Sequence, residues 1–158
     1  MRTVTPPAAA AAAAPAPADV PSRATLDRLE IQELVARYNH AIDRGDCEGW
    51  VGCFSEDGAF DGVAGRLEGR AALRGFAEAL TTAPEWAGYR PMRHWTTNFL
   101  IDLDGDAATM RADHVLYRQT VDGAVPLLMA VYRDTLRRED GRWLFAERVV
   151  ELQGGTRA

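Results

Sequence analysis

The sequence predicts an α+β fold in which a strongly bent antiparallel sheet wraps a long first helix and leaves one apolar hollow between them. Three observations carry that expectation. Helical spacing fills the first half of the chain, long strand patterns fill the second, and Asp-Gly pairs separate the strands. Helices followed by a strand meander argue for α+β over a parallel α/β sheet, and the hollow is the default ligand site.

The first helix starts near Thr25, because Ile31, Leu34, Val35, Tyr38 and Ile42 recur at three- and four-residue spacing. Gly45 supplies its C-terminal stop. Asp46 can cap a second short helix with Trp50, Cys53 and Phe54 on one side, after which residues 55–58 read as a turn. A short strand over residues 59–63 and a helix over 69–80, with Leu73, Phe76, Ala77 and Leu80 on its apolar face, come next. A loop holding Pro84, Gly88 and Pro91 leads into four long strands at residues 93–103, 107–119, 127–138 and 142–152. Asp104-Gly105-Asp106, Asp122-Gly123 and Asp140-Gly141 are the hairpin signals between them.

A chain of 158 residues with 47% hydrophobic and 26% charged residues fits one globular domain, here residues 24–153. Residues 1–23 are rich in alanine and proline and read as a disordered tail, with a secretory signal as the alternative, and residues 154–158 as a flexible end. The net charge of −5 and the absence of a basic run exclude nucleic acid as a partner. No apolar stretch is long enough for a membrane span. Cys47 and Cys53 are expected to be reduced, buried thiols of a cytoplasmic protein. Zinc-ligand spacing, a glycine-rich phosphate loop and a nucleophile elbow are missing, so neither metal nor cofactor is expected.

Few residues are left to carry chemistry. Asp43 stands at the C-terminal end of the first helix, where the helix dipole disfavours a carboxylate. It is either a solvated residue of the turn or a group aimed into the hollow, where dipole and apolar walls would make it a base or a partner for an imidazole. Tyr38, on the apolar stripe, is either a core aromatic or a phenol donating to a developing oxyanion. His94 and His114 lie in strands, and His114 shares a face with Met110, Ala112 and Leu116; His40 sits near the polar side of the first helix. Arg148 is the one charge in a row formed by Leu144, Ala146, Val150 and Leu152. It must snorkel to the rim, hold Asp43 or hold an anionic substrate group.

Four segments together resemble a known family: Tyr38-x-x-x-x-Asp43-Arg44-Gly45-Asp46, Phe54-Ser55-Glu56-Asp57-Gly58, Arg93-His94-x-x-Thr97-Asn98 and Asp140-Gly141-Arg142-Trp143. In that order they resemble a SnoaL-like domain of the nuclear transport factor 2-like superfamily, over about residues 25–150. The resemblance implies a conical barrel, its strongly curved sheet mixed but mainly antiparallel, around an apolar cavity that works without cofactor. Relatives include scytalone dehydratase, a bile acid dehydratase, hexachlorocyclohexane dehydrochlorinase, ketosteroid isomerase and polyketide cyclases. In the dehydratase and dehydrochlorinase branches an aspartate ending the first helix pairs with a histidine at the start of the sheet, and Asp43 and His94 hold those positions. Tyr38 and Arg148 correspond to further pocket residues, and His114 lies near a second histidine of scytalone dehydratase. Trp50, Phe60, Met92, Leu116, Tyr132 and Val150 are the expected walls.

The implied activity is a dehydratase-type lyase acting on a polyketide-, steroid- or terpenoid-like molecule. An isomerase or cyclase on the same dyad, and a non-catalytic binding module, are the alternatives. A homo-oligomer, trimer over dimer, is implied as well, with Trp95, Phe99 and Ile101 expected on an exposed apolar sheet face.

Overall fold

A computed structural model describes residues 20–154 of the chain. Helix α1 (Arg23–Arg44) begins where Ser22 accepts a hydrogen bond from the Thr25 amide, and ends at Gly45, whose φ of 73° is the left-handed conformation glycine adopts without a Cβ clash. Its buried stripe runs through Ile31, Leu34, Val35, Tyr38, Ala41 and Ile42, as the spacing predicts. Near its start the buried Asp27 pairs with Arg138 and accepts from Trp143 Nε1 at 3.3 Å, tying the helix to the sheet. Helix α2 (Cys47–Val51) is capped by Asp46, which accepts from the Gly49 amide at 2.9 Å.

Six strands form one mixed sheet: β1 (Phe54–Gly62), β2 (Gly65–Glu68), β3 (Met92–Asp104), β4 (Ala107–Thr120), β5 (Gly123–Glu139) and β6 (Arg142–Leu152). Their order is β2-β1-β6-β5-β4-β3; β1 runs parallel to β6 and every other pairing is antiparallel. Among the described residues β2 and β3 are edges, so the sheet stays open where a barrel would close. Helix α3 (Gly69–Thr82) packs on β1 and α2, and a 3₁₀ helix (Pro84–Tyr89) takes the place of the expected loop.

Three differences from the sequence reading have local causes. Residues 55–58 are strand, not turn, because β1 reaches back to Phe54 through an irregularity that places Gly58 against the β6 backbone. In β3 two residues oppose one between Thr97 and Leu100, and Asn98 takes a φ of 55°. The bulge switches the faces beyond it, so Phe99 and Ile101 turn inward against the core while Leu100 is left outside with Trp95. In β6 the ladder jumps from Phe145 to Glu147, so the inward row is Trp143, Phe145, Arg148 and Val150 rather than Leu144 through Leu152.

Both cysteines are free, but only Cys53 is buried; Cys47 is partly exposed at the start of α2. Among the described residues no helix is long and apolar enough to cross a membrane. The expected tail falls largely on residues 1–19 and the flexible end on 155–158, outside the described residues.

Candidate active site

β3 delivers His94 to the wall of the apolar cavity and α1 delivers Asp43 to meet it from behind. The His94 ring Nδ1 lies 2.6 Å from Asp43 Oδ1, and the His94 backbone N–H donates to Oδ2 at 3.1 Å. The two carboxylate oxygens therefore fix both the strand and the ring it carries. A carboxylate only accepts, so against it Nδ1 is the donor, and the neutral tautomer that fits this contact leaves the lone pair on Nε2. The side chains are 7% and 12% exposed, which keeps the contact almost dry.

His94 belongs to an apolar cavity shared with all six expected wall residues, Trp50, Phe60, Met92, Leu116, Tyr132 and Val150. Phe76, Trp86 and Tyr89 complete it from α3 and the 3₁₀ helix. The space is narrow, about 60 Å³. Behind the dyad, His94 and Asp43 also border a second, polar hollow of about 420 Å³ with Asn39, Arg44 and Arg93. A larger depression, about 950 Å³, is an open groove between α1 and the β5–β6 turn, and none of the expected catalytic residues reaches it.

His114 stacks between two rings, 5.1 Å from His94 and 4.4 Å from Tyr132 by centroid. Its Nδ1 lies 3.4 Å from Thr96 Oγ1, which in turn accepts from Asn39 Nδ2 at 3.1 Å. Burial, then the charges of His94 and Arg148, push its pKa down to about 3 against a weaker opposing bond at Trp95, so this imidazole is neutral near pH 7. It is a wall and a hydrogen-bonding group, not a cation.

Tyr38 is buried and meets His94 edge-on, ring centroids 6.5 Å apart. Burial raises its pKa, while the nearby Arg148 charge and the Trp50 and Arg148 donors pull it back. Arg148 itself corrects the sequence reading. It neither snorkels to the rim nor holds Asp43: it is fully buried and its Nε and Nη2 donate to Asp134 at 2.9 and 2.7 Å. Burial pushes the Asp134 carboxyl up and Arg148 pulls it back, and the bidentate geometry is that of an ionised pair. The guanidinium carbon lies 4.2 Å over the Tyr38 ring and 4.0 Å over that of Tyr132, so the cation underlies the cavity floor without lining it.

Asp134, Thr96 and Asn39 escape the sequence reading. Asp134 left a signal: it is the one acid in the inward row Ala130, Tyr132, Leu136, beside a strand whose inward row holds one Arg. Thr96 and Asn39 left none, because nothing local marks a threonine as facing a histidine. Among the described residues no three His, Cys, Asp or Glu side chains converge as metal ligands would.

From residue 23 to residue 149 the sequence matches the SnoaL-like domain. The chain belongs to the SnoaL-like family. No curated protein matches it. Among solved structures, this SnoaL-like chain is similar to a Mycobacterium tuberculosis protein of unknown function, 38% identical with a TM-score of 0.75 over 84% of this chain and 75% of that one. It is also similar to a protein from Novosphingobium aromaticivorans described as nuclear transport factor 2-like with a cystatin-like fold: 30% identity, TM-score 0.74, 85% and 86% coverage. A proposed scytalone dehydratase from the same organism, at 21% identity and TM-score 0.71 over 83% and 87% of the chains, shares the fold of this SnoaL-like domain.

Proposed function

We propose that this SnoaL-like domain is a cofactor-independent acid/base enzyme, a dehydratase-type lyase acting on a hydrophobic small molecule. The observation that carries the reading is the 2.6 Å contact between Asp43 and His94 at the wall of an apolar cavity. Nε2 of His94 removes a proton next to a carbonyl or leaving group, and Asp43 stabilises the imidazolium that forms. Tyr38 donates to the oxygen on which charge develops, or protonates the departing hydroxyl, and Arg148 beneath its ring favours negative charge there. Arg148 acts through Tyr38 in this scheme, and neutral His114 orients the substrate as a hydrogen-bonding partner. A general base and a general acid each contribute on the order of 10² to 10⁴ in rate.

The cavity also bears on the substrate class. Drug-sized ligands occupy roughly 300–1,000 Å³, so a polycyclic, steroid-like substrate requires Trp86 and Tyr89 to swing outward, whereas a compact ring system asks less. The experiment is incubation with 3-hydroxy-1-tetralone, a β-hydroxyketone that aromatises on losing water, followed by mass spectrometry and by NMR in D₂O. Loss of water that disappears in His94→Ala supports the lyase. Hydrogen–deuterium exchange next to the carbonyl without loss of water supports the isomerase or cyclase alternative, and equal behaviour of wild type and His94→Ala supports a binding module.

Homo-oligomerisation in the cytoplasm belongs to the same proposal. Trp95 (61% exposed) and Met129 (59%) flank Val115 on the outer face of β3, β4 and β5, a surface that a second copy can cover. Sedimentation velocity distinguishes the trimer, favoured over the dimer, from a monomer.

A further inference from the structure

Two donors beside the cavity floor have no acceptor. Trp50 Nε1 and Arg148 Nη1 are buried and make no hydrogen bond with any described residue. Asp134 takes the other two guanidinium nitrogens, so Nη1 is the one that projects away from the carboxylate. Both donors belong to side chains packed on Tyr38: the Trp50 ring centroid is 5.5 Å from that of Tyr38, and the Arg148 carbon is 4.2 Å above it. Each stands close enough to the phenol to draw its pKa downward, yet neither reaches it with the geometry of a hydrogen bond. Buried donors without acceptors are rare and costly. Their convergence on Tyr38 beside the narrow apolar cavity marks the place where an acceptor atom is missing.

We propose that Trp50 Nε1–H and Tyr38 O–H form a seat for a neutral carbonyl oxygen at the floor of the cavity, with Arg148 behind them. The charge balance selects a neutral acceptor over a carboxylate. Arg148 is already neutralised by Asp134, and Asp43 contributes a further negative group nearby. Apart from the two histidines and the tyrosine hydroxyls the walls are apolar, so the ligand is a ketone or enone on a hydrocarbon ring. This deepens the proposed function and rests on its reading of the cavity as the substrate chamber: it assigns the orientation, carbonyl end against Trp50, and gives Trp50 a contact role beyond that of a wall.

The test uses 1-indanone, whose oxygen only accepts, against indane, which has the same rings without the oxygen, and indane-1-carboxylate. Binding to the full chain is measured by calorimetry. Wild type is expected to bind indanone about fivefold or more tightly than indane, the weight of one net hydrogen bond, and to bind the carboxylate more weakly than indanone. Trp50→Phe keeps an aromatic ring and loses the N–H; it is expected to lose most of the indanone preference while its affinity for indane holds. The indole N–H resonance of Trp50 should move downfield with indanone and not with indane, a readout that needs no variant should Trp50→Phe fail to fold. Asp43→Asn should keep the preference, which separates this inference from the dyad: a catalytic assay can fail while the seat stands, and the converse. Equal affinities for indanone and indane, a preference for the carboxylate, an unmoved indole resonance, or no binding of either neutral probe would overturn the proposal. So would an undiminished indanone preference in Trp50→Phe.

Discussion

Asp134 and Arg148 stand directly opposite each other in the β5–β6 ladder and are wholly closed off from solvent. Removing one member leaves a bare charge in the interior, whereas removing both leaves only shape to repair. Asp134→Ala should therefore lose about 3–5 kcal/mol of stability in urea titrations. The double variant Asp134→Leu with Arg148→Met should recover most of that loss. A double variant no more stable than the single one would show that the pair holds the strands by more than mutual neutralisation.

For the dyad, two opposed effects can be ranked. Asp43→Ala relieves a carboxylate at a helix C-terminus, about 0.3–1 kcal/mol, but strands the His94 backbone N–H and ring, about 1–3 kcal/mol. Net destabilisation is expected. The ¹⁵N spectrum of His94 should shift from a single Nδ1–H tautomer to a mixture, and turnover of any accepted substrate should fall at least ~100-fold. Retention of the Nδ1–H tautomer in the variant would mean that Asp43 does not set it.

His114 makes stability depend on pH. Its folded pKa of about 3 lies below the unfolded value near 6.5, so between these values the unfolded chain binds a proton that the native protein refuses. Stability then falls as pH drops through that window, by at most about 1.4 kcal/mol per unit, and this contribution is flat above it. His114→Phe should reduce the slope of urea stability between pH 6.5 and 5, and the ring protons of His114 should not titrate over that range in wild type.

Gly58 has no room for a side chain. A Cβ there would stand 3.0 Å from the Phe145 carbonyl oxygen and 3.0 Å from that of Ser55, both backbone atoms that cannot swing aside. Gly58→Ala should cost about 1–3 kcal/mol in thermal or urea unfolding. Gly75→Ala, in α3 with open space around it, should be neutral or stabilising by up to about 1 kcal/mol.

Periodicity made α1, α3 and the four long strands legible, and turn chemistry gave their hairpins, because each depends on neighbours within a few residues. Asp43 and His94 were readable as a pair only through the motif that contains them, since they are 51 residues apart. The bulges were not readable. An extra residue at Asn98 or beyond Phe145 leaves no mark in hydrophobic alternation except a change of phase, and Phe99, Ile101 and Ala146 were placed on the wrong faces for that reason. The partner of Arg148 was hidden by the same shift, because cross-strand register decides which acid it meets.

The inserted residue in β3 also sets how this strand can change length. His94 lies before it and Phe99, Ile101 and Leu103 after it, and both groups look inward although an even number of residues, four, separates His94 from Phe99. Losing Asn98 alone would leave a regular strand with the same residues inward, whereas losing two would turn the distal half inside out and deliver Leu100 and Asp102 to the interior. The segment is thus more tolerant of a single deletion than of a double one.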